Sequence, residues 1–307
     1  MRPEVASYMI ELIKYGGWEN NLRLSNGIIE MVATLDVGPR IIRFGSIGGS
    51  NAFKEFQQEM GGRGETEWKL RGGHRFWHAP EAIPRTYVQD NFPVTWHKIG
   101  DLSVRLMSPP ETENNIQREI EIRMDPSSAA VTLVHRITNI GRWPIEVSCW
   151  ALSVMAEGGT AVIPLPCPVP HMEKPNPAYG MSVWSYSDMG DPRLQFGKGY
   201  LLIDHKKADA SHKLGISVPD AWAAYAANGN LFIKHFSWHA DRKYPDGGCN
   251  FETYSEKSFL ELESLGPLTL LAPGKSVEHL EHWRIYPDFT SAGTTSEFVK
   301  AVFKLAI

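Results

Sequence analysis

"AAVTLVHRITNIGRWPIEVSCWALSVM", residues 129–155, reads as two long strands joined at Asn139-Ile140-Gly141-Arg142. Its β-branched and aromatic residues suit a pleated, half-buried surface. The same grammar extends upstream. "IQREIEIRM" (116–124) places Ile116, Ile120 and Ile122 on one face and charges on the other, the period-2 signature of a strand. "LSVRLMS" (102–108) alternates too, and "GIIEMVATLDVGPRIIRFGSI" (27–47) gives two apolar runs broken at Gly38-Pro39. Downstream, "KSFLELESLGPLTLLAPGKSVEHLEHWRIY" (257–286) adds further strands around a turn at Ala272-Pro273-Gly274-Lys275. The 27 Gly and 21 Pro fit many short strands and tight turns.

Helical signals are few. Thr294 and Glu297 form a capping box, and Phe298, Val302 and Leu305 follow at helical spacing. The proline cluster "PLPCPVPHMEKPNP" (164–177) cannot be a central strand. It predicts a long loop over one large domain spanning 1–307. The expected class is all-β, with two large antiparallel sheets or a closed barrel and one C-terminal helix. Ligand groups then belong on rim loops or an uncovered sheet face.

Composition narrows the function classes. The chain has 307 residues, 42% hydrophobic and 21% charged, with net charge -4. No basic stripe suits nucleic acid. No apolar run approaches the roughly 20 residues of a membrane helix. Cys149, Cys167 and Cys249 form no CxxC pair. Glu4, Glu11 and Lys14 interrupt any apolar leader core, so a cytoplasmic protein is expected. Aromatics reach 11%, which suits β packing and also stacking against a ligand.

"LRGGHRFWHAPEAIP" (70–84) concentrates guanidinium, imidazole, indole and carboxylate. His74 and His78 would share a helix face, but Gly72-Gly73 before them and Pro80 and Pro84 after them disfavour a helix. On a strand they stand about 13 Å apart, too far for one metal. The same spacing weakens His235 and His239. No metal and no cofactor are expected. Arg71 offers five fixed donors, Trp77 a flat face for a pyranose ring, and Gly72-Gly73 room for close approach. That set suits a sugar. Its structural alternative is a buried pair, Arg71 or Arg75 with Glu81, tying down a loop. In "SFLELESLGP" (258–267) a strand would put Phe259, Glu261 and Glu263 on one face and the leucines on the other. The two carboxylates would stand about 6.6 Å apart as an exposed acidic row, and one of them, desolvated, could serve as a general base. No GxSxG, P-loop or GxGxxG is present, so serine-hydrolase and nucleotide chemistry lack support.

"LRGGHRFWHAPE" resembles the "RGGxPxxWPxFG" segment of the hexose-phosphate epimerase branch of the aldose 1-epimerases. "FLELESLGP" with "LLAPGKSVEHLEHWRIY" resembles that family's C-terminal element, and 129–155 its "xxNxxxxxxxxxxALHTYF" hairpin. The three segments run in the family's order, covering roughly residues 20 to 286. The resemblance implies a galactose mutarotase-like β-supersandwich. It implies a Glu base at Glu263 and a sugar-binding arginine at Arg71. It also implies a histidine acid where this chain has Ser153, so another histidine would have to serve. His74 is the catalytic candidate. Arg75, Trp77, His78, Glu261 and His235 complete the expected binding set, with His239 a further histidine to consider. The expected ligand is a small sugar or sugar derivative, with no nucleic acid or membrane partner. A non-catalytic sugar-binding protein and an oligosaccharide lyase or hydrolase are the alternatives.

Overall fold

The computed structural model describes residues 8–207, 209–290 and 293–307. Glu4 of the N-terminal charge pattern lies outside them. Glu11 and Lys14 sit on the Met9–Tyr15 strand.

The alternating segments form the expected strands. They assemble into one 11-stranded and one 10-stranded sheet, antiparallel throughout. A shared hydrophobic core lies between them. Ile41, Phe44, Phe76 and Leu262 come from the first sheet, and Ile120, Leu133, Phe232 and Trp283 from the second. The all-β, two-sheet expectation therefore holds.

The reading of 129–155 as a hairpin does not. Ala130–Asn139 pairs with Ile116–Met124 and Ser276–Tyr286 in the second sheet. Ile145–Met155 pairs with Gly73–Ala79 and Phe259–Leu265 in the first. Residues 140–144 carry the chain from one layer to the other. A hairpin and a crossing between layers bury the same apolar faces, so the pattern alone did not separate them. The five-residue connection, longer than a two-residue hairpin turn, is the feature that suits a crossing.

The crossing places Ile145–Met155 at the middle of the first sheet, between an early strand and a late one. It is buried on both faces over Val147–Met155. This juxtaposition builds the candidate site. The C-terminal helix, Thr295–Ala306, starts from the predicted box: Thr294 and Glu297 cap one another. Its Val299, Val302 and Ala306 cover the outer face of the second sheet against Val162, Trp222 and Ile233. No helix among the described residues is long and apolar enough to cross a membrane.

Candidate functional site

Register brings distant residues into rows on the outer face of the first sheet. Arg75 lies opposite Leu152, Leu152 opposite Glu263, and Glu263 opposite Glu252. In the next row, Trp77 faces Trp150 and Trp150 faces Leu265. Lys213 and Tyr254, paired on neighbouring strands of the same sheet, stand beside these rows, and Trp68, Glu81, Tyr87 and Tyr186 close over them, leaving a cavity of about 230 Å³. That is below the roughly 300–1,000 Å³ of drug-sized pockets and suits one ring. Phe259 shares the cavity wall with Glu261 and Glu263, as the strand alternation required. The acidic row is not exposed, however. Glu261 keeps 4% of its surface and Glu263 none, because loops cover the sheet face that the sequence left open.

Charges in the cleft are tightly paired. Arg75 Nη1 donates to Glu261 Oε1 at 2.6 Å, with its guanidinium 4.5 Å from the Trp77 ring centre and 5.3 Å from that of Trp68. Lys213 Nζ stands 2.9 Å from Glu252, 3.5 Å from Glu263 and 3.4 Å from Glu81. It also lies 4.5 Å from the Trp150 ring. Trp150 Nε1 donates to Glu263 Oε2 at 3.0 Å, while Glu263 Oε1 is buried with no partner. Burial raises the Glu263 carboxyl to about 7; Lys213 opposes that rise and Glu261 adds to it. Burial likewise raises Glu252, against the pull of Lys213. A carboxylate poised near neutrality, with one free oxygen on a cavity, can accept a proton.

The other predicted residues go elsewhere. His74 is adjacent to Arg75 and therefore points the opposite way, into the core between the sheets. Its Nδ1 meets Ser153 Oγ at 2.9 Å and its Nε2 meets His135 Nε2 at 2.8 Å. His74 is thus not beside Glu263, and neither is Ser153, the residue at the family's acid position. The cleft-facing neighbour on that strand is Leu152. Arg71 is a loop clamp. It bonds Glu65 Oε2 at 2.6 Å, Asn91 Oδ1 at 2.8 Å and the Glu59 carbonyl at 2.9 Å. Gly72 and Gly73 do not leave room for a ligand: a Cβ on them would lie 2.0 Å from the Lys54 carbonyl oxygen and 2.4 Å from that of Ile41. His78 is buried beside Ile116 and Val147. His235, on the second sheet, bonds the Ala306 carbonyl at 2.8 Å. Of the expected set, Arg75, Trp77, Glu261 and Glu263 meet. The loop-tying ion pairs are Arg71 with Glu65, and Arg40 with Asp90.

Sequence reasoning missed Lys213, Trp150, Glu252 and Trp68. No local signal marked Lys213: it lies inside the short strand His212–Ile216, whose burial along its length only the structure shows, and a lysine so buried needs a partner. Three roomier cavities, of about 410, 470 and 310 Å³, lie beside the C-terminal helix, under residues 88–93 and at the end of that helix against the second sheet. Of the predicted residues they take in His235 alone, in the last of the three.

No protein-family description matches the sequence, and no curated protein does. Solved structures do match. A galactose mutarotase-like protein from Lactobacillus casei ATCC 334 superposes with TM-score 0.58 at 10% identity, over 87% of this chain and 100% of that one. The fold is galactose mutarotase-like. A protein proposed to be an aldose 1-epimerase, from Klebsiella pneumoniae, gives TM-score 0.58 at 13% identity, covering 97% and 86%. A TPR-domain containing protein from Parabacteroides distasonis gives 0.60 at 12%, with 90% of this chain on 49% of that one. At such identities the likeness concerns the mutarotase-like fold alone.

Proposed function

We propose that this chain binds a monosaccharide or sugar derivative in the cleft above Glu263 and acts on it as an aldose 1-epimerase-type enzyme. The observation that carries this reading is Glu263 itself. It is fully buried at the cleft floor, one oxygen is free, and burial holds its carboxyl near 7. In the reaction Glu263 takes the proton of the anomeric hydroxyl, the C1–ring-oxygen bond breaks, and an acid protonates the departing ring oxygen. Re-closure on the other face reverses both transfers and gives the opposite anomer. No histidine lines the cavity among the described residues. Burial pulls the Lys213 ammonium down, but Glu263, Glu252 and Glu81 hold it well above its ordinary range. It therefore steadies the charge on Glu263 at 3.5 Å, and the proton for the ring oxygen comes in this reading from a water.

The missing histidine also favours a second reading, a sugar-binding protein without turnover. Glu261 is held by Arg75, which leaves the two-carboxylate hydrolase or lyase alternative without a free partner for Glu263. Anomer exchange in fresh α-D-glucose, α-D-galactose and their 6-phosphates, followed by NMR, tests the epimerase reading. Exchange above the buffer rate should fall about 10²- to 10⁴-fold in Glu263→Gln. Saturable tryptophan quenching without exchange would select the second reading, and neither signal would remove both.

A further inference from the structure

The carbohydrate reading can be taken to a ligand class, on which this inference rests. We infer that the cleft is built for a sugar carrying a protonated amine. The charge inventory is unequal: four carboxylates, Glu81, Glu252, Glu261 and Glu263, meet only two cations, Arg75 and Lys213. Both cations are already bound to carboxylates, and without a further cation the surplus is met only by protonating Glu252 and Glu263, both of which burial raises. Surplus acid buried in a low-dielectric cavity is costly unless a cation joins it. Glu263 Oε1, 0% exposed and without a partner, is where a ligand donor is missing. An ammonium on a pyranose supplies both the charge and the hydrogen bond. The same ring brings oxygen acceptors to a wall where the indole N–H groups of Trp68 and Trp77 also lack partners. Tyr186, Tyr254 and Phe259, lining the same cavity, add π faces that a cation favours.

A phosphorylated sugar meets the opposite situation. Its dianion would enter past Glu81, whose side chain is 30% exposed at the rim, toward a floor of carboxylates. Neither Arg75 nor Lys213 could turn to it without abandoning a buried carboxylate. An N-acetylated amine keeps the ring but loses the charge.

The test is a tryptophan-fluorescence titration of the full chain, since Trp68, Trp77 and Trp150 line the cavity. D-glucosamine and D-galactosamine are each compared with the neutral parent sugar, the N-acetyl derivative and the 6-phosphate. One amino sugar should saturate at a concentration about tenfold or more below its neutral parent. N-acetylation should abolish that gain, and Glu263→Gln should cost the amino sugar more than its parent. A neutral or phosphorylated sugar binding as tightly as the amine, or equal losses in Glu263→Gln, would overturn the inference and leave the carbohydrate reading intact. Silence from every sugar would remove both together.

Discussion

The three strands at the centre of the first sheet have two faces, and these solve the problem of buried polarity in opposite ways. Outward, Arg75, Glu261, Glu263 and Lys213 form a cluster with excess acid and an orphaned carboxylate oxygen. Inward, one residue along each strand, His74, Ser153 and Ser264 join a nearly closed network. His135 Nδ1 faces the His279 carbonyl, so it carries the proton. His135 Nε2 then accepts from His74 Nε2–H, His74 Nδ1 accepts from the Ser153 hydroxyl, and Ser153 Oγ accepts from Lys234. Lys234 also meets Glu281 at 2.6 Å, and Trp283 donates to that carboxylate at 2.8 Å. His74, His135 and Glu281 could hold a metal by proximity, but the Lys234 ammonium already supplies their cation. The nearly satisfied network serves the fold, whereas the orphaned oxygen of buried Glu263 supports the binding reading proposed above.

The inner face should be the more fragile. Lys234→Met leaves Glu281 buried and unpaired, and should cost about 3–5 kcal/mol in urea or guanidinium unfolding. Lys234→Met with Glu281→Leu should recover part of that loss; a fully additive double variant would show that the two side chains do not act together.

The faces should also pull stability in opposite directions with pH. Burial lowers His135 and His279 to about 3. The unfolded chain takes up their protons first, so their contribution is lost as pH falls from about 6.5 toward 3. Glu263, raised to about 7, does the reverse: its folded form holds a proton that the unfolded chain releases, so stability rises as pH falls from 7 toward 4.5. Glu263→Gln should therefore be more stable than wild type at pH 8, with the advantage shrinking toward pH 5. A constant difference across that range would mean that Glu263 is not held near neutrality.

The smallest effect concerns one hydrogen bond. Trp150→Phe removes the N–H that favours ionised Glu263, a bond to a charged group worth about 1.5–3 kcal/mol. The Glu263 titration, read from the pH dependence of sugar binding or exchange, should move upward. An unmoved profile would separate Trp150 from the ionisation of Glu263.

Much of this was written in local pattern. Strand alternation set the class, Thr294 and Glu297 set the helix start, and "FLELESL" put Phe259, Glu261 and Glu263 on one face. Arg75 and Trp77 were in view because "LRGGHRFWHAPEAIP" concentrates guanidinium, imidazole and indole. The errors cluster where both faces of a strand are buried. Gly73–Ala79 is buried along its whole length, so nothing local separated His74, which enters the core, from Arg75, which enters the cleft. Arg71 carries the right chemistry for a sugar, yet its partners Glu59, Glu65 and Asn91 come from loops whose paths no periodicity encodes.

The sequence by itself determined that this chain is built mainly of sheet with a helix at its C-terminal end, and which side chains share a strand face, because covalent geometry alone imposes that alternation. Only the tertiary structure decided which face became cleft and which became core. That assignment depends on the layer each strand joins and on the loops laid over it, and burial then moved Glu263 toward neutrality and lowered His135 and His279.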